Sequence, residues 1–399
     1  MIFGIRFLIF RLTIFTIAAI AQGYLFVQIR RAIRSSRGSD RFKSRAIRLV
    51  GAVIIALFCL NAYIMLTRMA WIDPPALAQV GLLYPVAVWN FGSLFSALLL
   101  FLVRTAGGLG RALARLWRSL SGEGAPVPVD LGRRRFLRAG VGSLAAAPLV
   151  LSGYGAAYAS KASGVEELSL PFGRRLRVVQ LTDIHAGLYM TREQIRRYAD
   201  LVNGLRPDLF VLTGDYISNS MSFLPGCLEE VGRVQARYGT FATLGNHEHW
   251  FGKAREVSAV FRRHNIPLLD NAHRVIQTEQ GPLAVAGIDD LRSGRPDLDA
   301  ALHGIDPSIP TLLLSHRPEI FPLAARRGIP LTLAGHWHGG QIKFTVLGVD
   351  LSIAHAFSPY PEGLYRISDS HLYVSRGIGT TATPIRLNAP PEVTLFNLT

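Results

Sequence analysis

Residues 331–342, LTLAGHWHGGQI, join a short apolar run to two imidazoles set two positions apart, His336 and His338. In an extended segment, side chains at i and i+2 point the same way. Two histidines leaving a strand end together are therefore candidate metal ligands, and the glycines beside them let backbone approach an ion or an oxyanion. Four other places repeat the arrangement. Residues 178–182 deliver Asp183 and His185, 209–213 deliver Gly214 and Asp215, and 311–315 deliver His316. Residues 240–244 deliver Gly245, Asn246, His247 and Glu248. Strands that each drop Asp, Asn or His at one end place those side chains along one rim, as the ligands of a binuclear site must be.

The elements that would position them begin near residue 168, where short strands start to alternate with amphipathic helices. Thr191 and Gln194 form a capping-box pattern ahead of a helix over 192–203. Further helices are expected over 225–236, 253–264 and 318–327. Residues 274–278 and 283–288, separated by Glu279-Gln280-Gly281-Pro282, predict a hairpin, as do 363–367 and 371–375, and 393–398 predict a last strand. Mixed βαβ units with late antiparallel hairpins predict an α/β (α+β) domain over 168–399, built as a two-sheet β-sandwich flanked by helices.

With these residues assembled, 168–399 resembles the calcineurin-like metallophosphoesterases. Asp183-x-His185, Gly214-Asp215, Gly245-Asn246-His247-Glu248, His316 and Gly335-His336-x-His338 match that family's five blocks in order. Ser375-Arg376-Gly377-x-Gly379 and Pro390-Pro391-Glu392 look closest to its bacterial membrane-linked phosphodiesterase branch. The resemblance implies that Asp183, His185, Asp215 and His338 hold one metal ion. Asp215, Asn246, His316 and His336 would hold the second, with Asp215 shared.

Two cations ~3.5–4 Å apart need a common carboxylate to offset their repulsion, and a ligand set of N and O donors suits Mn, Fe, Zn or Mg. The activity implied is phosphate-ester hydrolysis by metal-bound hydroxide, with His247 as the residue that meets the departing oxygen. Glu248 is expected to orient a histidine rather than bind metal. Arg376 and Arg386 are candidates for contacting a substrate phosphate. Trp337 departs from the family pattern, standing where a small hydroxyl residue is usual.

The first third of the chain is of another kind. Residues 1–138 carry 19 Lys plus Arg against 4 Asp plus Glu, and the remainder 24 against 23, so nearly all of the net charge of +16 lies there. That excess sits between long apolar segments, where it reports membrane orientation rather than nucleic-acid binding. Residues 7–29, 49–66 and 82–103 each approach the ~20 residues of a spanning helix, giving three transmembrane helices within 1–104. The connector 30–48, with eight Lys or Arg and a single acid, is expected in the cytoplasm, and 67–81 on the other side.

Residues 105–138 read as a basic cytoplasmic linker in which Leu109, Leu113, Leu116, Trp117 and Leu120 form a short interfacial helix. Arg133-Arg134-Arg135-Phe136-Leu137-Arg138 and the weakly apolar 139–160 resemble a twin-arginine export signal, with Ala157-Tyr158-Ala159 as a small-x-small site. Whether signal or fourth spanning helix, this segment puts later residues across the membrane. Cys59 lies in an apolar segment and Cys227 reads as a free thiol.

The expected protein is thus a multi-pass protein of a bacterial inner membrane whose phosphoesterase domain faces the periplasm. It needs two divalent metal ions and meets membrane lipids, lipid-linked or envelope phosphate esters and, for export, the twin-arginine machinery. Three alternatives remain. One is a cytoplasm-facing pyrophosphatase of the UDP-2,3-diacylglucosamine type. The second is a nuclease or cyclic-nucleotide phosphodiesterase, although the near-neutral 168–399 lacks a basic track for nucleic acid. The third is a non-catalytic phosphate-binding receptor.

Overall fold

The structure, a computed structural model, describes residues 2–67, 73–121, 131–159 and 164–399. The chain divides into two units, one helical and one carrying both large sheets.

The helical unit contains Ile2–Ser35, Asp40–Thr67, Tyr84–Ser121 and Leu131–Tyr154, with a π-turn over Gly155–Ala159 continuing the last into the other unit. Four helical stretches, Leu12–Ser35, Asp40–Thr67, Ala76–Ser121 and Ala139–Ala157, are long and apolar enough to cross a membrane by length and composition. Their large side chains, Leu49, Ile55 and Leu66 among them, point outward. Ala21, Gly92, Ser96 and Ala97 are buried beside a few large residues, Leu25, Ile54, Ile64 and Val86. A Cβ on Gly92 would lie 2.9 Å from the Leu149 Cα, so only glycine lets those two helices approach as they do.

The expected separate interfacial helix is not found. Residues 109–120 continue the helix Tyr84–Ser121 without a break: no proline interrupts 104–109, and Thr105, Gly107 and Gly108 stay helical there. The arginine cluster 133–138 falls within the helix Leu131–Tyr154, and its side chains lie outside the described residues, as do residues 68–72 of the expected connector 67–81 and 122–130 of the expected linker 105–138.

In the second unit, one sheet has the order β1-β13-β2-β3-β4 and the other β11-β12-β8-β7-β6-β5. The first contains β1 (Gly164–Leu170), β2 (Leu176–Leu181), β3 (Leu209–Thr213), β4 (Thr240–Thr243) and β13 (Glu392–Leu398). The second contains β5 (Ala272–Thr278), β6 (Gly281–Gly287), β7 (Thr311–Leu314), β8 (Leu331–Ala334), β11 (Gly363–Ile367) and β12 (Ser370–Val374). Strands β9 (Phe344–Val346) and β10 (Val349–Leu351) form a small separate hairpin.

Strand alternation divides the core. Leu176 and Val178 of β2, Leu209 and Val211 of β3, and Leu312 and Leu314 of β7 face one another between the sheets. Their neighbours Val179, Leu181, Phe210 and Leu212 pack outward under the helices Arg192–Gly204 and Leu224–Val231. Leu313 and Ala286 do the same beneath Leu298–Leu302 and Phe321–Arg326. The result is helix, sheet, sheet, helix, as expected for a two-sheet metallophosphoesterase-like fold.

The site lies where the parallel strands end. β2, β3 and β4 run parallel in one sheet, and β6, β7, β8 and β12 in the other. Gln180, fully buried, ties the sheets by donating to the Ala334 carbonyl at 3.0 Å and the Thr213 hydroxyl at 2.8 Å. Beyond that tie both sets of strand ends open into one crevice, the place where open α/β sheets bind ligands.

Candidate metal centre

The histidines and carboxylates singled out in the sequence converge in that crevice. Asp183 leaves β2 with its Oδ1 3.3 Å from His338 Nε2, and His185 Nε2 lies 3.1 Å from that same nitrogen. Asp215 leaves β3 with Oδ2 3.3 Å from His316 Nε2, whose ring in turn stands 3.2 Å from His336 Nδ1. Asn246 Oδ1 lies 3.2 Å from His316 Nε2. The two groups meet at Asp215, because Oδ2 is also 3.6 Å from His185 Nε2.

Asp183, His185 and His338 can therefore present ligand atoms to one point, and Asp215, His316 and His336 to another. His185, Asp215 and His247 form a third such group that spans the two. Asn246 joins the second through His316, and Asp215 stands between them.

Close backbone packing builds this geometry. Asp183, His185, Asp215, His336 and His338 all have positive φ, from 50° to 77°, a region costly for residues with a Cβ. Backbone bonds hold them there: the Asp183 N–H donates to the Gly214 carbonyl and the His185 N–H to that of Asp215. The His336 N–H donates to Asp183 Oδ2 at 2.9 Å. Glycine is required at two contacts, since a Cβ on Gly335 would lie 2.2 Å from Asp183 Oδ2 and one on Gly245 2.3 Å from Asp215 Oδ1.

Burial and charge oppose each other here. Burial alone would raise the carboxyl pKa values of Asp183 and Asp215, but His338 and His316 respectively outweigh it and both fall below the usual range. His185 and His336 are driven down by burial and then by neighbouring histidines, so their rings are neutral and present lone pairs. Burial also works against charge on His316, yet Asp215 and Asp183 prevail and raise its pKa to about 10.

The neutral rings of His185 and His336 facing ionised carboxylates, with His316 releasing its proton when an ion binds, form a cation-binding donor set, and N and O donors without thiolate suit a hard or borderline divalent ion. The buried His185 Nδ1 makes no hydrogen bond, so no proton partner competes for the direction of its ring. The residues fit a pair of divalent cations.

His247 sits at the edge of the cluster. Its Nδ1 donates to the Ser218 carbonyl at 2.6 Å, which turns Nε2 toward Asp215 Oδ2 at 3.8 Å. Its ring meets that of His185 edge-on at 4.5 Å and lies 5.0 Å from Trp250.

Glu248 corrects an expectation. It orients no histidine; its carboxylate accepts the backbone N–H groups of Asp215, Tyr216, Ile217 and Gly245. A buried loop carrying several unpaired donors needs one acceptor to gather them, and a carboxylate has the lone pairs to do so. Burial, followed by repulsion from Asp215, pushes its pKa up to about 7.

The two arginines are also corrected. Arg376 pairs with Glu392 at 2.6 Å, Glu166 at 2.7 Å and Glu362 at 3.6 Å, so its charge is already matched. Arg386 is fully buried and donates to the carbonyls of Gly379, Ala389, Arg376 and Gly377, with its NH2 group 3.2 Å from His338 Nδ1. It braces the site from beneath, and burial brings its pKa down to about 10.

Arg317 went unrecognised in the sequence. It follows His316 directly, places its guanidinium against His336 Nε2, reaches Asn246 Oδ1 at 3.2 Å and is anchored by Asp290 at 2.8 Å. Its adjacency to a ligand candidate was the available signal. Trp337 turns its indole N–H to Glu319 at 3.0 Å. Another grouping, Asp350, His355 and Glu362, has the Lys343 ammonium between its carboxylates, which balances their charge.

A two-sheet α/β fold with paired Asp and His clusters at its strand ends defines a metallophosphoesterase. Residues 176–340 match the calcineurin-like phosphoesterase family. An uncharacterized metallophosphoesterase of Bacillus subtilis, YkuE, is 29% identical over 280 residues, covering 67% of this chain and 98% of its own. A Danio rerio protein described as a transmembrane protein with metallophosphoesterase domain is 27% identical over 418 aligned positions, covering 99% of this chain and 89% of its own. An uncharacterized metallophosphoesterase of Campylobacter jejuni is 32% identical over 230 residues, 56% of this chain and 59% of that one.

Relatives thus occur in animals as well as bacteria, so the match does not narrow to a bacterial branch. Among solved structures, TT1561 of Thermus thermophilus aligns with a TM-score of 0.36 at 12% identity, over 51% of this chain and 91% of that one. The chain is a phosphoric ester hydrolase with an N-terminal region of apolar helices.

Proposed function

We propose that this protein is a membrane-anchored phosphodiesterase whose catalytic unit lies outside the cytoplasm and acts on envelope or lipid-linked phosphate esters. One observation carries the reading: ligand-type side chains from both sheets close on Asp215 with His247 beside it. Asp183, His185, Asp215 and His338 would hold one divalent ion and Asp215, Asn246, His316 and His336 the other. Bound there, the pair supplies Lewis acidity to the phosphoryl oxygens and makes water a nucleophile near neutral pH.

The chain's own groups do the rest. The Ser218 carbonyl fixes the Nδ1 hydrogen of His247, leaving Nε2 as the atom that gives a proton to the departing oxygen. Asp215 Oδ2 faces Nε2 at 3.8 Å, and Arg317 brings positive charge to the side of the crevice near His336 and Asn246.

The placement across the membrane draws on charge and on one contact. Basic connectors flank the apolar helices at 30–48 and 104–118, while the intervening connector packs on the catalytic unit: Asp73 accepts the Arg192 N–H at 3.0 Å and Gln79 donates to the Leu188 carbonyl at 2.8 Å. A loop between two membrane-length helices that rests on the catalytic unit supports both lying on one face, opposite the basic connectors. The twin-arginine-like run at 133–138 fits export to that face.

The test is the purified full-length protein in lipid nanodiscs, assayed on phosphomonoesters and phosphodiesters with each of Mn, Fe, Zn and Mg. Metal-dependent cleavage of a small diester is expected. A metal-loaded protein that binds phosphate and cleaves nothing would make it a receptor instead. A reporter fused after Thr399 that is active only in the cytoplasm would reverse the topology and restore the UDP-diacylglucosamine-type reading.

A further inference from the structure

We infer that the segment from Phe344 to Phe357 is a lipid-inserting element that seats the mouth of the catalytic site on the bilayer surface. β9 and β10 pair with Val346 opposite Val349, Thr345 opposite Asp350 and Phe344 opposite Leu351. Directly paired residues share a face, so Phe344, Leu351, Val346 and Val349 make one wholly apolar side, all of it exposed. The other side is polar and satisfied: Thr345 donates to Asp350 at 2.6 Å, and Lys343 pairs with Asp350 at 3.3 Å.

The tip has the same character. Leu347 and Gly348 both have positive φ, the two-residue turn that Asn-Gly forms at least cost. A leucine there is unfavourable for the backbone and is fully exposed, so turn formation does not account for it. The helix Ile353–Phe357 that follows puts Ile353 (71% exposed) and Phe357 (73% exposed) one turn apart on one face, with Ala354 buried opposite. Soluble surfaces rarely gather so much contiguous apolar area, and a lone two-stranded hairpin is marginal in water.

The base of this element is rigidly joined to the site. The Gln341 N–H donates to the His338 carbonyl, and the Lys343 N–H to that of Leu387, each at 2.9 Å. The Ser352 side chain, which caps the helix, occupies the space a Cβ on Gly340 would need. The apolar surface therefore continues from the turn that carries His338.

The chain itself indicates lipid as the occupant. The π-turn that continues the last membrane-length helix ends at Ala159 and β1 starts at Gly164, five residues on, which reach at most about 18 Å. The loop bearing Asp73 and Gln79 tethers the unit a second time. The exposed residues are aliphatic or Phe, without the Trp, Tyr and Arg that anchor protein partners. A site held so would take a phosphate ester standing at headgroup depth, with its acyl or prenyl part left in the membrane. That last step rests on the hydrolase reading above; the insertion itself does not.

Two measurements on the full chain in phosphatidylglycerol and phosphatidylethanolamine proteoliposomes test this. A polarity-sensitive fluorophore on Leu347→Cys, in a Cys59→Ser background, is expected to be quenched by doxyl groups on lipid tails and shielded from aqueous iodide. Quenching by iodide alone overturns insertion. Shielding from both overturns it too, since a protein partner or second copy then covers the hairpin.

The variant Leu347→Asp with Phe357→Asp is expected to cleave a bilayer-borne phosphodiester about tenfold more slowly, while bis-p-nitrophenyl phosphate cleavage stays within about twofold. Equal loss on both substrates would overturn the substrate assignment. If the unmodified protein cleaves neither, the hydrolase reading fails while the quenching result still decides insertion.

Discussion

The helical unit and the catalytic unit bury polar groups of different kinds. Among the described residues, the helical unit hides few of them and binds them loosely. Gln22 donates to Asn90 at 3.2 Å, while Gln22 Oε1, Gln28 Oε1 and Trp89 Nε1 are buried without partners. The catalytic unit buries full charges, Asp183, Asp215, Asp290, Arg317 and Arg386, and nearly every polar atom of these is matched. Helices whose outer faces suit lipid can tolerate a stray amide. A crevice assembled from ionised groups depends on each partner. The difference implies that single substitutions in the two units will differ in size and even in sign.

The largest effect is expected at Asp215, which faces both ligand groups. Asp215→Asn keeps the shape, removes the charge that holds them together, and should lower kcat/KM by about three orders of magnitude or more. Metal content measured on the same sample should fall by about half or more, with the helical content unchanged. Full activity in that variant would break the assignment of this crevice as the catalytic centre.

Asp290→Asn comes next. It leaves the Arg317 guanidinium buried and half-paired, and removing one partner of a buried ion pair costs about 3–5 kcal/mol. Thermal unfolding of the catalytic unit should move down accordingly. Asp290→Asn with Arg317→Met should recover most of the loss, because the uncompensated charge is then gone. Failure of the double variant to recover would mean that the carboxylate serves chiefly to hold the backbone N–H groups of Arg292 and Ser293.

Much of the catalytic unit was legible because chemistry and periodicity coincide there. Apolar runs such as 209–213 end at the residue where ligand chemistry starts, so β3 and Asp215 are located by the same feature. The parts that escaped are those where neighbouring structure decides. β1 has five exposed residues among seven and is a strand because it pairs with β13, a contact its own pattern does not reveal. Arg317 belongs to no motif, and its role comes from burial beside His316. Glu248 appeared to serve a histidine because it adjoins one, but the helix Asn246–Phe251 turns its carboxylate back under the Asp215 loop. The hairpin β9–β10 was missed because its apolar–polar alternation runs for only three residues on either side of Leu347-Gly348, too short to stand out as strand. Its function, like its exposure, becomes visible only against a surrounding surface that is polar.

The smallest effect sharpens the comparison most. Gln22→Leu removes a long hydrogen bond to Asn90 and, with it, an acceptor that is buried and unpaired. Interhelical hydrogen bonds in membranes average about 0.6 kcal/mol, and relieving an unmatched carbonyl returns a comparable amount. The variant in nanodiscs should unfold within about 1 kcal/mol of the original, shifted toward greater stability if at all, with hydrolysis unchanged. A large loss of stability would show that the helical unit, like the catalytic one, depends on matched polar groups in its interior. The contrast between the two units would then lie in what covers them rather than in how their cores are held.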